Sequence, residues 1–327
     1  MAITTKALHA PGNDTYYDRL LLERMLPVMA HEKWGQKRPI KLHSGGTAKF
    51  RRIERLSAVP TPLTDGTDVT AVVPTITDIT CTINEYGNAI EYTRLADETN
   101  QDALLTEYTE LLGENLADTL DIVCRNVINA GTSVRYANGV AARGNVTTLI
   151  TTTDLDVAIR SLELQNAKKH TTGQKGGPGV GTAPVADGYI AITHPYVGYT
   201  LKGLIGFIPV SDYPNPGAAE PGEIGSYRDI RFISTTNARY WADSGAVIGA
   251  TGYRSTSGVN LDVFSTLVIA ADFYGVVPLG DGAVKTVRKP FGWNDLLDRN
   301  AAVGARATIA YTILNENLGV RIETCAA

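Results

Sequence analysis

Residues 100–130, NQDALLTEYTELLGENLADTLDIVCRNVINA, place Leu104, Leu105, Tyr108, Leu111, Leu112, Leu116, Leu120, Val123, Val127 and Ile128 at spacings of three and four. That spacing lines apolar side chains along one stripe of an α-helix, with Thr99 or Asn100 as cap and Gly131 as stop. At 1.5 Å per residue the helix runs on the order of 45 Å, longer than a small domain is wide. Whatever this chain folds into is therefore built along one long rod. Acidic residues, among them Glu107, Glu110, Glu114 and Asp118, crowd the N-terminal half, where the positive end of the helix dipole favours them. Carboxylates three apart, as in Glu107/Glu110 or Asp118/Asp121, imply a solvated or neighbour-facing surface; spacing alone leaves a glycosidase pair as the alternative.

The acidic rod is one half of a lopsided charge distribution. Residues 1–60 hold eleven Lys/Arg against five Asp/Glu and residues 61–130 hold two against thirteen, so +6 faces −11 in a chain of net −4. Complementary segments of this kind steer one part of a chain towards the opposite part of itself or of a neighbour. The basic half ends in KFRRIERLSAVPTPLTDG, residues 49–66, where Lys49, Arg51, Arg52 and Arg55 precede Pro60, Pro62 and an acidic turn at Asp65-Gly66. Phe50 is its one aromatic, and a net acidic chain lacks the electrostatic footprint of a nucleic-acid reader, so protein contact is the reading for this cluster.

Pattern pairs this stretch with residues 76–92. Ile79, Cys81 and Ile83 alternate, then Tyr86, Asn88, Ile90 and Tyr92 share a face, with Gly87 at the change of phase, which predicts a β-bulge. The two segments form a long hairpin whose outer half has little to offer a core of its own subunit, and an isolated two-stranded ribbon is marginal in water. Ahead of it, DTYYDRLLLERMLPVMAHEKWG reads as a short amphipathic helix capped by Asp14 and ended by Pro27, followed by an arm, GQKRPIKLHSGG. After the rod come a helix from Thr153 that ends with Lys168 and Lys169, a glycine-rich loop, and the strand YIAIT ending at His194-Pro195. Residues 200–290 mix short strands with Gly/Pro/Asn turns and predict a compact α+β domain. Ala305, Ala307, Ile309, Tyr311 and Ile313 alternate with more polar neighbours, a turn falls at residues 315–317, and Leu318, Val320 and Ile322 alternate again, which predicts a terminal hairpin.

Catalytic and metal chemistry finds little support. Cys81, Cys124 and Cys325 are an odd, widely spaced set that reads as reduced thiols, and the five histidines show no ligand spacing. GGPGVG at 176–181 lacks the lysine, hydroxyl and strand-to-helix context of a phosphate loop. His194 closes an apolar strand but has no nucleophile elbow or Cys/His signature beside it; a histidine before a turn proline is the simpler reading, with a cytoplasmic enzyme using His194 as the alternative. No apolar run approaches the ~20 residues that span a bilayer, and the first residues lack a secretory pattern, so folding in a cytoplasm without cofactor or membrane is expected.

The ordered set YYDRLLLERMLP, GQKRP, FRRI, PLTDG, NEYGNAIEYTRLADET, LGENLADTLDIVCRNVINAGTSVRYANG, THPY, GEIGSYRDIRFI and LNENLGVRIET resembles tailed-phage major capsid proteins of the Hong Kong 97 type. More narrowly it resembles the family typified by coliphage N-four, departing from it at NDLLDRN near residue 294, where those relatives tend to carry a proline. The resemblance implies an α+β fold divided into an N-terminal arm at 1–42, an extended β-hairpin loop at 43–78, a peripheral domain at 79–146 and 289–327 with the spine helix 100–130, and an axial domain at 147–288. It implies a non-enzymatic protein that self-assembles into hexamers and pentamers of an icosahedral shell around double-stranded DNA, in a virion assembled in the bacterial cytoplasm. The arm would wrap a neighbour and the loop would lie across the next subunit of the capsomer.

Partners on this reading are other copies of the chain, a separate scaffolding protein, a portal, a decoration protein and packaged DNA touched non-specifically; an encapsulin-like bacterial compartment is the alternative within the fold. Charge, rather than the resemblance, makes Lys49, Arg51, Arg52, Arg55 and Asp65 candidates for intersubunit contact, with Glu107, Glu110, Glu114 or Asp118 as counterparts of the basic cluster.

Overall fold

A computed structural model of the chain describes residues 29–327 apart from 67, 70, 101–103, 171–186, 214–218, 250–251, 281–283 and 293–296. The helix expected from Asp14, the glycine loop at 176–181 and part of NDLLDRN therefore lie outside the described residues. The strands in chain order are β1 Gln36–Lys37, β2 Thr47–Ile53, β3 Ile76–Thr82, β4 Asn84–Thr93, β5 Val134–Tyr136, β6 Tyr189–Thr193, β7 Phe207–Pro209, β8 Glu223–Tyr227, β9 Ile230–Ser234, β10 Tyr240–Trp241, β11 Val263–Ile269, β12 Tyr274–Pro278, β13 Val284–Lys289, β14 Asn300–Ile313 and β15 Gly319–Thr324. The α-helices are α1 Arg94–Thr99, α2 Leu104–Ile128, α3 Thr152–Leu164 and α4 Pro195–Lys202.

Three sheets organise these elements. In the first, β14 is the axis: β4 pairs along Asn300–Ile309 on one edge, β13 and then β12 succeed each other on the other, and β1 adds in parallel to β12. Ala301, Val303, Ala305, Ala307 and Ile309 all point to the side where α2 lies, burying Tyr108, Leu112, Leu116, Leu120, Cys124 and Ile128 in one core. The second sheet runs β5-β15-β11-β6-β9-β8-β7, with β10 beside β11. Its central strands are covered on both faces: Ile190, Ile192, Leu267 and Ile269 join the α2 core, while Tyr189, Ala191, Phe264 and Val268 join a second core with Leu155 and Leu162 of α3 and Val197 and Leu201 of α4. Double burial requires mostly apolar strands such as YIAIT and VFSTLVI, and the buried hydroxyls in the second are bonded, Ser265 to Asn129 and Thr266 to Thr193. The third sheet is the hairpin β2-β3 alone.

Several expectations change here. A short helix, α1, precedes the rod and ends at Asn100, which is extended, while the join between Asn100 and Leu104 lies outside the described residues. The phase shift before it is not a bulge at Gly87. β4 pairs with β14 in unbroken register from Asn84 to Thr93, and the change falls at Ile83, where the chain leaves β2 and transfers to β14. Gly87 has a packing reason instead: a Cβ there would lie 2.9 Å from the Ala305 carbonyl oxygen. The helix expected to end at Lys169 stops at Leu164, capped at its start by the Thr151 hydroxyl; Asn166 turns the chain with φ 53°, and Lys169 bonds Asp229 at 3.0 Å. Its predicted apolar side, Leu155, Ala158, Ile159 and Leu162, is buried. The terminal hairpin does not exist, since β14 and β15 belong to different sheets.

Candidate intersubunit surfaces

The root of the β2-β3 hairpin is anchored and its far part is not. Ala48, Phe50 and Arg52 share the inward face of β2; Phe50 is buried with Cys81, Val277 and Ala310, and the Arg38 guanidinium lies 5.4 Å from its ring centre. Gly275 of β12 is the seat of that ring, for a Cβ there would approach Phe50 to 2.8 Å. Phe50, noted in sequence only as an aromatic within a basic cluster, is thus the pin of the hairpin. Beyond the pin the chain exposes Ile53, Leu56, Val59, Leu63, Val69, Val72, Val73 and Ile76, each more than half accessible and Val73 85% so.

The basic cluster finds its bonds inside the hairpin. Arg51 stands opposite Asp78 in the β2-β3 register and donates to it at 2.9 and 3.3 Å; that hydrogen bond holds the Asp78 carboxyl below its usual value. Arg52, half-buried, donates to the Leu314 carbonyl and to Glu54. Lys49 is exposed opposite Thr80, and Arg55 and Asp65 are exposed beyond the paired strands, Arg55 without a carboxylate partner among the described residues. The helix acids sit elsewhere. Glu107, Glu110, Glu114 and Asp118 form a stripe on α2 offset from the buried one, with Glu110 exposed, the others half-buried, and Asp118 accepting from Asn237 at 3.3 Å. Within one subunit Arg51 and Arg52 bond Asp78 and Glu54, not the helix acids.

Asp121 overturns the expectation of a solvated carboxylate pair on α2. It is fully buried and accepts from the His31 backbone N–H at 2.8 Å, while the His31 ring Nδ1 lies 2.9 Å from its other oxygen. Burial raises the carboxyl, but the hydrogen bonds and charge of His31 outweigh it and hold the group below its ordinary value of 3.8. The His31 carbonyl oxygen accepts from Cys124 Sγ and from the Tyr274 hydroxyl, and Glu32 accepts from Tyr311 at 3.0 Å. Lys33 pairs with Glu220, Trp34 is buried against His170, and β1 then joins β12. Residues 30–40 of the arm are thereby strapped onto their own subunit.

His194 caps α4. Its Nδ1 accepts from the Tyr196 N–H at 3.3 Å, its ring stacks on Tyr196, and burial plus the nearby Arg254 charge lower its pKa to about 4. No group of three or more His, Cys, Asp or Glu placed to hold a metal occurs among the described residues, and none of the described helices is long and apolar enough to cross a membrane. A histidine kept neutral when folded contributes stability that is complete above its unfolded pKa, near 6.5, and falls as pH drops from there towards 4. Thermal denaturation of His194→Asn, which keeps a cap but cannot titrate, should therefore show a flatter acid limb. The difference should reach about 1–2 kcal/mol once solvent access is allowed for; parallel curves for the two proteins would refute this.

A long helix laid on a sheet, a hairpin that projects beyond its core and a strapped arm together define a shell-forming subunit. Solved structures agree on the fold: the capsid of Ralstonia phage GP4 aligns with TM-score 0.69 at 12% identity over 90% of this chain and 87% of that one. The capsid structure of cyanophage P-SCSP1u aligns with TM-score 0.63 at 15% identity over 96% and 93%. Mycobacterium phage Che8 aligns with TM-score 0.57 at 12% identity over 94% and 96%. No curated protein matches the chain. The model of the phage capsid protein family matches residues 76–312, and the chain belongs to that family. It is a major capsid protein of a tailed phage, a structural component of the virion and not an enzyme, and its α+β fold is in keeping with the Hong Kong 97 type.

Proposed function

We propose that copies of this chain form hexameric and pentameric capsomers in which each extended loop lies across the next subunit. The observation that carries this is the row of eight exposed large apolar side chains between Ile53 and Ile76, on a segment whose contacts with its own subunit lie, among the described residues, at the hairpin root around Phe50, Arg52 and Cys81. Apolar area of that extent costs about 25 cal/mol per Å² to leave in water, and a second copy is the surface a shell supplies in quantity. Lys49, Arg51, Arg52 and Arg55 meet Glu107, Glu110, Glu114 or Asp118 of the neighbour; Arg55 is foremost, since Arg51 and Arg52 already have partners within the hairpin. Sheet membership supports a division in which α2 with β4, β12, β13 and β14 forms the peripheral domain and the second sheet with α3 and α4 the axial one. The boundary expected at 288/289 then moves so that residues 274–289 go with the helix, while β5 and β15 go with the axial sheet. The likeness to the N-four type, a separate scaffolding protein, a portal, a decoration protein and non-specific contact with packaged double-stranded DNA belong to the same proposal. No observation favours the compartment-shell alternative.

Leu56→Ser, Val59→Ser, Leu63→Ser and Val73→Ser combined should leave the melting temperature of the subunit within about 2 °C, because exposed positions contribute little to the monomer. Shell yield by sedimentation and electron microscopy should fall at least tenfold. Wild-type yields from this variant would refute the role given to the loop.

A further inference from the structure

β13, VKTVRK, is an edge strand. All six residues are exposed, and among the described residues its one strand neighbour is β14. Edge strands present a row of N–H and C=O groups ready to pair, and proteins usually blunt them with charge. Lys285, Arg288 and Lys289 supply charge here, yet Val284 and Val287 remain 55% and 40% accessible. On the sheet face turned away from α2, Val287 stands at the rim of an open cleft of about 590 Å³ whose small residues Gly87, Ala89, Ala302 and Gly304 are flanked by the charged Glu91, Lys289 and Arg306.

The loop offers a segment of matching character. Residues 68–73, DVTAVV, are rich in β-branched side chains, and Val69, Val72 and Val73 are 64%, 65% and 85% accessible. Asp65 and Asp68 stand at its start, opposite in sign to the β13 edge. Six residues of extended chain span roughly 20 Å, the length of β13.

We infer that residues 68–73 of a second copy add as a strand to the free edge of β13, with Val72 or Val73 beside Val287 and with Asp65 and Asp68 together at one end of β13, near Lys289 for antiparallel and near Lys285 for parallel pairing. Backbone pairing gives such an addition its affinity, and the apolar contact with Val287 and the charges at its start set direction and register. This rests on the reading of the loop as an intersubunit contact and names the surface that receives it.

Two cysteine pairs, Val72→Cys with Val287→Cys and Val73→Cys with Val287→Cys, test it in assembled shells under mild oxidation. At least one pair should give a ladder of linked subunits on denaturing gels, and the three single variants none. Lys285→Glu with Lys289→Glu should lower shell yield at least tenfold without changing subunit circular dichroism, and Asp65→Lys with Asp68→Lys in the same chain should restore at least half of the loss. If shells form normally, neither cysteine pair links and the charge reversals assemble as wild type, the inference is overturned. Should the four-serine loop variant still fail to assemble in that case, the loop docks elsewhere and only the receiving surface is wrong. Normal assembly of that variant would remove both.

Discussion

Glu323→Ala should destabilise the isolated subunit by about 3–5 kcal/mol, the range for removing one partner of a buried ion pair. Glu323, on β15, is fully buried and takes Arg143 at 2.6 and 2.8 Å through both carboxylate oxygens, while Arg321 Nε lies 2.8 Å from one of them. The ring of Trp241 lies 3.7 Å from the Arg143 guanidinium and 5.5 Å from that of Arg321. Taking the carboxylate away leaves Arg143 and Arg321, 29% and 11% accessible, without their shared acceptor and with like charges facing each other, and Arg321 keeps only its bonds to the Asn129 and Gly131 carbonyls. The cost is that of stranded charge and not of the pair's net worth. Glu323→Gln, which keeps an acceptor of the same shape, should therefore lose clearly less than Glu323→Ala. Urea denaturation followed by circular dichroism measures both. A Glu323→Ala midpoint shift equivalent to under 1 kcal/mol would show that solvent reaches the guanidiniums after all.

Helix α2 and the inward faces of β4 and β14 were legible because each buries one side against a core, and burial of one side writes itself into the sequence as a period. A period states which face is buried and not which strand lies beside it. Ala305 to Ile313 and Leu318 to Ile322 alternate in the same way whether the two strands pair or part, and they part: after β14 the chain passes Glu316, whose carboxylate accepts from Thr132 at 2.8 Å, and enters the other sheet. The transfer at Ile83 resembles a bulge at Gly87 in sequence for a related reason, since a change of partner and a bulge both shift the phase of alternation by one residue. Phe50 was hidden by the charges on either side of it, although Ala48, Phe50 and Arg52 occupy one face of the strand. Asp121 could have been found. It lies three and seven residues before Cys124 and Ile128, on the buried stripe of α2, and a carboxylate at a core position announces a partner; its partner, His31, is 90 residues away in sequence and invisible to any local pattern.

Asp121→Ala should release the arm before it unfolds the subunit. Two hydrogen bonds to His31 disappear, and with them the closure of a site in which the His31 carbonyl is also held by Cys124 and Tyr274. Removing one member of a fully buried, hydrogen-bonded pair costs about 3–5 kcal/mol, but residues 30–40 carry few other buried groups, chiefly Ala30 and Trp34, so the loss concentrates there. Limited trypsin treatment reads this locally: Lys33, Lys37 and Lys41 lie within or just after the strap, and cleavage in the folded subunit should accelerate at least tenfold while the midpoint of global unfolding moves less. Acid should imitate the substitution. The Asp121 carboxyl is held below its ordinary value of 3.8, so its contribution is complete above that pH and is lost as pH falls through the lower folded value. Wild-type arm cleavage, measured with an acid-active protease at pH 5 and below, should rise towards that of the variant as Asp121 gains its proton, whereas the variant should show no such step. His31→Ala combined with Asp121→Ala should add little to Asp121→Ala alone, because the two side chains act as one contact. Additive losses in the double variant, or an arm as resistant to trypsin in Asp121→Ala as in wild type, would mean that β1 and Trp34 hold the strap without the buried pair.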